Sequence, residues 1–99
     1  MPTPRSIILT LFSSRTCSLC TTAKDTLLKA QQKIPFELKV LDIHRNECPK
    51  DLADQYMFDI PVIHLGDEFL AKHRIEEDKL LKAIKTYKDT GKVEKIQND

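Results

Sequence analysis

The sequence predicts a three-layer α/β domain with the element order β-α-β-α-β-β-α, a four-stranded mixed sheet and helices on both faces. Three observations predict it. An apolar run of strand length, Ile7-Ile8-Leu9-Thr10-Leu11-Phe12, leads directly into a helical stripe, with Cys17-Ser18-Leu19-Cys20 at the junction. A second strand–helix pattern follows over residues 36–56. Two short apolar runs are then joined by Gly66-Asp67, a hairpin signal, and lead into a last amphipathic segment.

Each element has its own justification. Residues 5–12 form the first strand. Cys20, Ala23, Leu27, Ala30 and Ile34 fall on one face of a helix over 18–32, which Pro35 stops because the residue before proline avoids helical backbone. Phe36, Leu38, Val40 and Asp42 alternate with Glu37, Lys39, Leu41 and Ile43, so residues 36–42 read as a strand partly buried on both faces. Asn46-Glu47-Cys48-Pro49 is a turn into a short helix ending near Tyr56, with Pro49 suited to its first position. Residues 60–65 and 68–73 are the hairpin strands, with Pro61 near the start of the first. Leu80, Leu81, Ile84 and Tyr87 stripe a last helix over 75–87, supported by Asp78 and Lys82 at i,i+4. Residues 88–99 are polar and read as a frayed tail. Two strand–helix–strand crossings imply parallel central strands.

Ninety-nine residues fit one domain, with its core at about 6–87. Charged residues make up 31% of the chain, yet the net charge is +1, so bulk electrostatics argue against nucleic acid and anionic membrane as partners. No apolar run approaches the ~20 residues of a membrane span. Three cysteines are too few, and odd in number, for a disulfide-stapled secreted scaffold. The first residues lack a signal core or an Arg-rich transit helix, so a cytoplasmic location is expected, or a mitochondrial one if a targeting segment precedes this chain.

The C-x-x-C carries the chemistry. At a strand-to-helix junction, the first sulfur lies over unsatisfied helix N–H groups, which with the helix dipole favour negative charge there. The thiolate is the nucleophile, and a second thiol one turn on is placed to attack a mixed disulfide. Arg15 is the nearest cation in sequence and, with the helix terminus, a candidate for activating Cys17; Lys24 is seven residues away, about 10 Å along a helix. The bland alternative is two incidental small buried residues. Cys17, Cys20, His44 and Cys48 also give C-x2-C-x23-H-x3-C, which has zinc-ligand chemistry, but a helix and a strand fill the long gap, so no metal is assigned. Cys48 is expected on the same sheet edge as the C-x-x-C, as an inert or regulatory thiol. His64 is expected on a sheet face or edge, and His73 at a strand end.

A strand, a C-x-x-C at a helix start, Ile60-Pro61-Val62 opening a hairpin, and a last helix together resemble the glutaredoxin form of the thioredoxin fold. The resemblance spans residues 6 to about 87, and the hairpin ends in His73-Arg74 like that of a divergent branch of short glutaredoxin-like proteins. It implies a thiol–disulfide oxidoreductase in which Cys17 is the nucleophile and Cys20 the resolving thiol, the two forming the redox-active disulfide. It implies a cis Pro61, an Ile60 whose backbone pairs with a bound thiol peptide, and a Leu19 that offers an apolar contact beside the sulfur. Disulfide-bearing or glutathionylated proteins are the implied substrates, with no permanently bound cofactor, a monomeric state, and glutathione or a thioredoxin-type reductase as electron donor. Two rivals have other chemistry: a metal or iron–sulfur carrier using Cys17, and a redox-inert interaction module. Three features depart from the family pattern. Ser14 stands where many members carry lysine, with Arg15 next to it. Ser18-Leu19 replaces Pro-Tyr. No glycine pair opens the last helix, where the chain reads Lys72-His73-Arg74-Ile75. Arg74 is the expected substitute for holding a carboxylate there.

Overall fold

The computed structural model describes residues 7–45 and 48–96. The expected strand residues Arg5 and Ser6, the turn residues Asn46 and Glu47, and positions 97–99 lie outside them. The elements are β1 (Ile8–Ser13), α1 (Ser18–Lys33), β2 (Glu37–Asp42), α2 (Lys50–Tyr56), β3 (Val62–Leu65), β4 (Glu68–Lys72) and α3 (Glu77–Thr90). This is the predicted order, and the sheet runs β2-β1-β3-β4. No helix of the described residues is long and apolar enough to cross a membrane.

One expectation is corrected. The first crossing does give parallel strands, β1 and β2, in register from Ile8 opposite Glu37 to Ser13 opposite Asp42. The second does not: β3 pairs antiparallel with β1, Phe12 opposite Val62. Helix length explains the difference. The 16 residues of α1 span about 24 Å, enough to carry the chain back along a strand of about 20 Å. The seven residues of α2 span about 10 Å. The chain therefore enters β3 from the edge at which it left β2, and runs back.

The alternation of β1 sorts the core into two layers. Leu9 and Leu11 are fully buried beneath α1 and α3 with Leu27, Ile63, Leu65, Leu80 and Ile84. Phe12 points to the other face, where it packs with Ile43, Cys48, Tyr56 and Val62 under α2. On α1, Cys20, Ala23, Leu27 and Ala30 are buried, which is the predicted stripe. The Ile34 N–H still reaches Ala30 O at 2.9 Å before Pro35 ends the helix. Pro49 caps α2 instead of occupying its first turn, its carbonyl accepting from the Ala53 N–H. In the hairpin Gly66 adopts φ 62°, and a Cβ there would lie 3.3 Å from the Tyr87 hydroxyl.

The C-terminal segment differs from the frayed tail expected. Helix α3 continues to Thr90 and is closed by Gly91 in left-handed backbone, whose N–H reaches Tyr87 O at 2.8 Å. The chain then folds back, so that Val93 and Ile96 pack on the main core and the Ile96 N–H donates to Leu70 O at 2.9 Å. Two apolar residues in a polar segment carry no periodicity, so the pattern could not reveal this return. The contact also covers part of the edge strand β4. A chain ending at Gly91 is expected to lose about 2 kcal/mol of stability, from two partly buried aliphatic side chains and one hydrogen bond. Urea titration of the shortened chain measures it, and an unchanged midpoint would mean the segment contributes nothing.

Candidate active site

Ser13 ends β1, and a tight turn carries the chain over to α1. The Cys17 N–H donates to Ser14 O at 3.2 Å, and the Thr16 N–H to the Ser14 hydroxyl at 3.4 Å. Cys17 has extended backbone (φ −99°, ψ 111°) and is the N-cap of α1. Its Sγ accepts the Cys20 N–H at 3.2 Å. Sulfur thus takes the place that a serine or aspartate oxygen usually fills, satisfying one orphan donor of the first turn. That turn holds no acidic residue, so the positive end of the helix is not neutralised by its own side chains.

The two thiols stand in different surroundings. Cys17 is part-exposed, whereas Cys20 is 3% exposed. The Cys20 thiol is pushed up to about 12, chiefly by burial and then by the Cys17 sulfur beside it, against a lowering contribution from Ser14 backbone. At neutral pH Cys20 is therefore held as the thiol. The pair thus has one part-exposed cysteine at a helix terminus and one buried cysteine held as the thiol.

The Ile60–Pro61 peptide is cis. Because Val62 lies opposite Phe12, Pro61 stands at the sheet edge from which the C-x-x-C turn leaves. The Pro61 carbonyl accepts the His73 N–H at 2.8 Å. His73 has φ 64°, a left-handed conformation usually given to glycine. Its Nε2 and the Lys72 ammonium approach Asp59 Oδ1 at 3.9 and 3.6 Å, tying the end of the hairpin to the loop before Pro61. The sequence marked His73 only as a strand-end residue, since nothing local signals its backbone conformation. The Ile60 N–H, expected to serve a bound peptide, already donates to Tyr56 O at 3.1 Å.

The remaining candidates fall into two groups. Leu19 is exposed on the first turn of α1, and the exposed Met57 and Phe58 lie shortly before the cis peptide in the chain. Arg15 is 74% exposed and its Nε lies 3.8 Å from Asp42 Oδ2, across the β1–β2 pairing. Arg74, expected next to the start of the last helix, is exposed and precedes the first residue of α3 by three positions, because that helix begins at Glu77 instead of Ile75. The N-cap Glu76 and first-turn Glu77 and Asp78 already complement that helix end, and Glu77 also pairs with Lys33.

Cys48 is 5% exposed in the α2-side cluster, with its Sγ donating to Pro49 O at 3.7 Å. It lies across the sheet from the helix that carries Cys20. His44 is exposed, its N–H bonded to Asp42 Oδ1 at 2.8 Å. The C-x2-C-x23-H-x3-C residues are not gathered: among the described residues no group of three or more His, Cys, Asp or Glu could hold a metal ion.

His64 sits on the α2 face, sharing a 2.8 Å hydrogen bond with the Tyr56 hydroxyl and packing edge-on to Phe12 at 4.8 Å. Burial lowers its pKa and raises that of Tyr56. An unfolded chain therefore binds a proton at this histidine before the folded chain does. Stability from His64 is complete above about pH 6.5 and falls as the pH drops through that value toward the lower folded pKa. His64→Gln is expected to flatten the stability profile between about pH 7 and 5, as read from urea midpoints at each pH. An identical profile would remove His64 as its source.

Comparison with known proteins adds the family. Residues 8–85 match the model of the Glutaredoxin-like domain (DUF836). The chain belongs to the glutaredoxin-like family. A Dictyostelium discoideum relative, described as "Glutaredoxin-like protein YDR286C homolog", is 34% identical over 86 residues, covering 83% of this chain and 79% of that one. The solution structure of protein Ne2328 from Nitrosomonas europaea superposes with a TM-score of 0.64 at 26% identity, over 79% of this chain and 91% of that one. Thioredoxin-2, described as a component of malaria parasite protein secretion machinery, superposes with a TM-score of 0.63 at 24% identity, over 82% of each chain, and shows the shared fold alone. This glutaredoxin-like chain therefore has the thioredoxin fold, with the family match running from β1 well into α3.

Proposed function

We propose that this glutaredoxin-like protein reduces disulfides by thiol–disulfide exchange through Cys17 and Cys20. The observation that carries the proposal is the asymmetry of the pair: a part-exposed Cys17 whose Sγ accepts a helix N–H at 3.2 Å, and a buried Cys20 held as the thiol. The Cys17 thiolate attacks one sulfur of a substrate disulfide. A Cys17–substrate bond forms, the substrate S–S bond breaks, and the leaving sulfur takes up a proton. The Cys17 anion is then gone, and with it part of what holds Cys20 protonated. Cys20 loses its proton and attacks Cys17 Sγ, forming the Cys17–Cys20 disulfide and expelling the substrate as its second thiol. Two electrons and two protons have passed to the substrate. An external dithiol or two equivalents of glutathione restore the protein.

The substrate lies against Leu19 and along Ile60-Pro61, pairing through the Ile60 carbonyl because the N–H is engaged by Tyr56 O. Arg15 and Arg74 supply positive charge on either side. The acidic first turn of α3 disfavours a carboxylate there, so this reading gives disulfide-bearing proteins precedence over glutathione adducts as substrates. The test is single turnover of a peptide disulfide by the unmodified protein and by each single-cysteine variant.

A further inference from the structure

The site described above leaves one neighbouring cleft unused. On the β2 side of the C-x-x-C turn, a cleft of about 280 Å³ is lined by Cys20 and Thr21 of the first turn of α1, by Lys24 one turn further on, and by Arg15, Asp42 and Arg45. Three cations and one carboxylate leave it with a net +2 in a chain whose total is +1. Asp42 is occupied: one oxygen accepts the His44 N–H at 2.8 Å and the other faces Arg15 at 3.8 Å. Lys24 and Arg45 make no ion pair among the described residues. The positive end of α1, free of acids in its first turn, borders the same space.

At the start of α3, which follows the far edge strand β4 in the order β2-β1-β3-β4, the acids are paired instead, Glu76 with Lys79 and Glu77 with Lys33. The positive charge of the cleft is left unbalanced by its own lining, which the near-neutral composition conceals. A chain laid over Cys17 meets this field on its β2 side, where the cleft is a recess with room for a side chain.

We propose that the Arg15–Lys24–Arg45 cleft is a specificity subsite for an acidic residue flanking the target cysteine of a peptide or protein disulfide. The inference rests on the proposed exchange at Cys17. It adds a substrate class, disulfides with aspartate or glutamate beside the cysteine, and two residues, Lys24 and Arg45, that the motif does not contain. Coulombic recognition of this kind acts on encounter and weakens with salt, because screening sets in over about 10 Å at 0.1 M.

The experiment uses three dimeric peptide disulfides that differ only in the residues on either side of cysteine: glutamate, glutamine or lysine. The unmodified protein is expected to reduce the glutamate peptide with about tenfold higher kcat/KM than the glutamine peptide at low ionic strength, mostly through KM, and the ratio is expected to shrink toward one in 0.5 M salt. K24E/R45E is expected to reverse the preference toward the lysine peptide. Equal kcat/KM for all three peptides with the unmodified protein overturns the subsite while leaving the exchange reaction standing. A preference that K24E/R45E does not move also overturns it. So does an effect of K24E/R45E confined to glutathione mixed disulfides and blind to the flanking residues, which would assign the cleft to the glutathione carboxylates. Amide shift perturbation by the glutamate peptide carrying serine for cysteine reads the subsite without turnover. Shifts at Thr21, Lys24 and Arg45 that K24E/R45E removes support the subsite even if no peptide is reduced, and their absence overturns it.

Discussion

Cys17→Ser is expected to abolish disulfide reduction, with a loss on the order of 10³-fold or more, because a hydroxyl at this position has no thiolate to offer. The cap geometry makes the variant a clean probe. A serine oxygen is a good N-cap acceptor, so the Cys20 N–H keeps a partner and α1 keeps its start. Folding should therefore survive while the chemistry goes. Cys20→Ser is expected to behave differently. Attack by Cys17 on the substrate remains possible, but the buried thiol that would displace the product is missing. The mixed disulfide between Cys17 and one half of the peptide should accumulate, visible as a mass increase that dithiothreitol removes. Its resolution then depends on external thiols, which lack the effective concentration of a sulfur held one turn away. If Cys17→Ser reduces the peptide at the unmodified rate, or Cys20→Ser leaves no adduct and no slowing, Cys17 and Cys20 are not an exchange pair.

Leu27→Ala is expected to cost about 3 kcal/mol of stability, lowering the melting temperature by about 12–20 °C for a domain of this size. Leu27 is fully buried among the residues that α1 and α3 press on the sheet. Truncation there removes three carbons from a packed layer whose neighbours can close the gap only in part. The adjacent Leu28 is 41% exposed, so Leu28→Ala should cost less than about 1 kcal/mol. The pair holds helix propensity constant, since both changes replace leucine by alanine in the middle of the same helix. Thermal melts followed by circular dichroism would measure both. Equal losses would mean that α1 is not docked by the predicted face, and the positioning of Cys17 and Cys20 argued above would fall with it.

Much of this was legible in the chain itself. The stripe Cys20, Ala23, Leu27, Ala30 is local periodicity, and it determines which side of α1 meets the sheet. The hairpin was legible because Gly66 marks a turn between two apolar runs. The arrangement of Cys17 and Cys20 was legible because both sulfurs belong to one helical turn, so four consecutive residues specify their geometry. Pro61 carried over through resemblance, and its cis peptide agrees. The C-terminal return was not legible, because Val93 and Ile96 are too sparse to signal a face. Nor was the left-handed backbone of His73, which the hydrogen bond to Pro61 O and the approach to Asp59 accompany.

The residues alone determined the element order, the buried stripes and the placement of two thiols at a helix start, because each of these depends on neighbours within about two turns of chain. Tertiary structure alone decided the direction of β3 and the gathering of Arg15, Lys24, Asp42 and Arg45 around one cleft. Those four residues span 31 positions of sequence and meet because β2 lies parallel to β1 beneath the start of α1. Burial and charge depend on distance through space, and a linear pattern records distance along the chain.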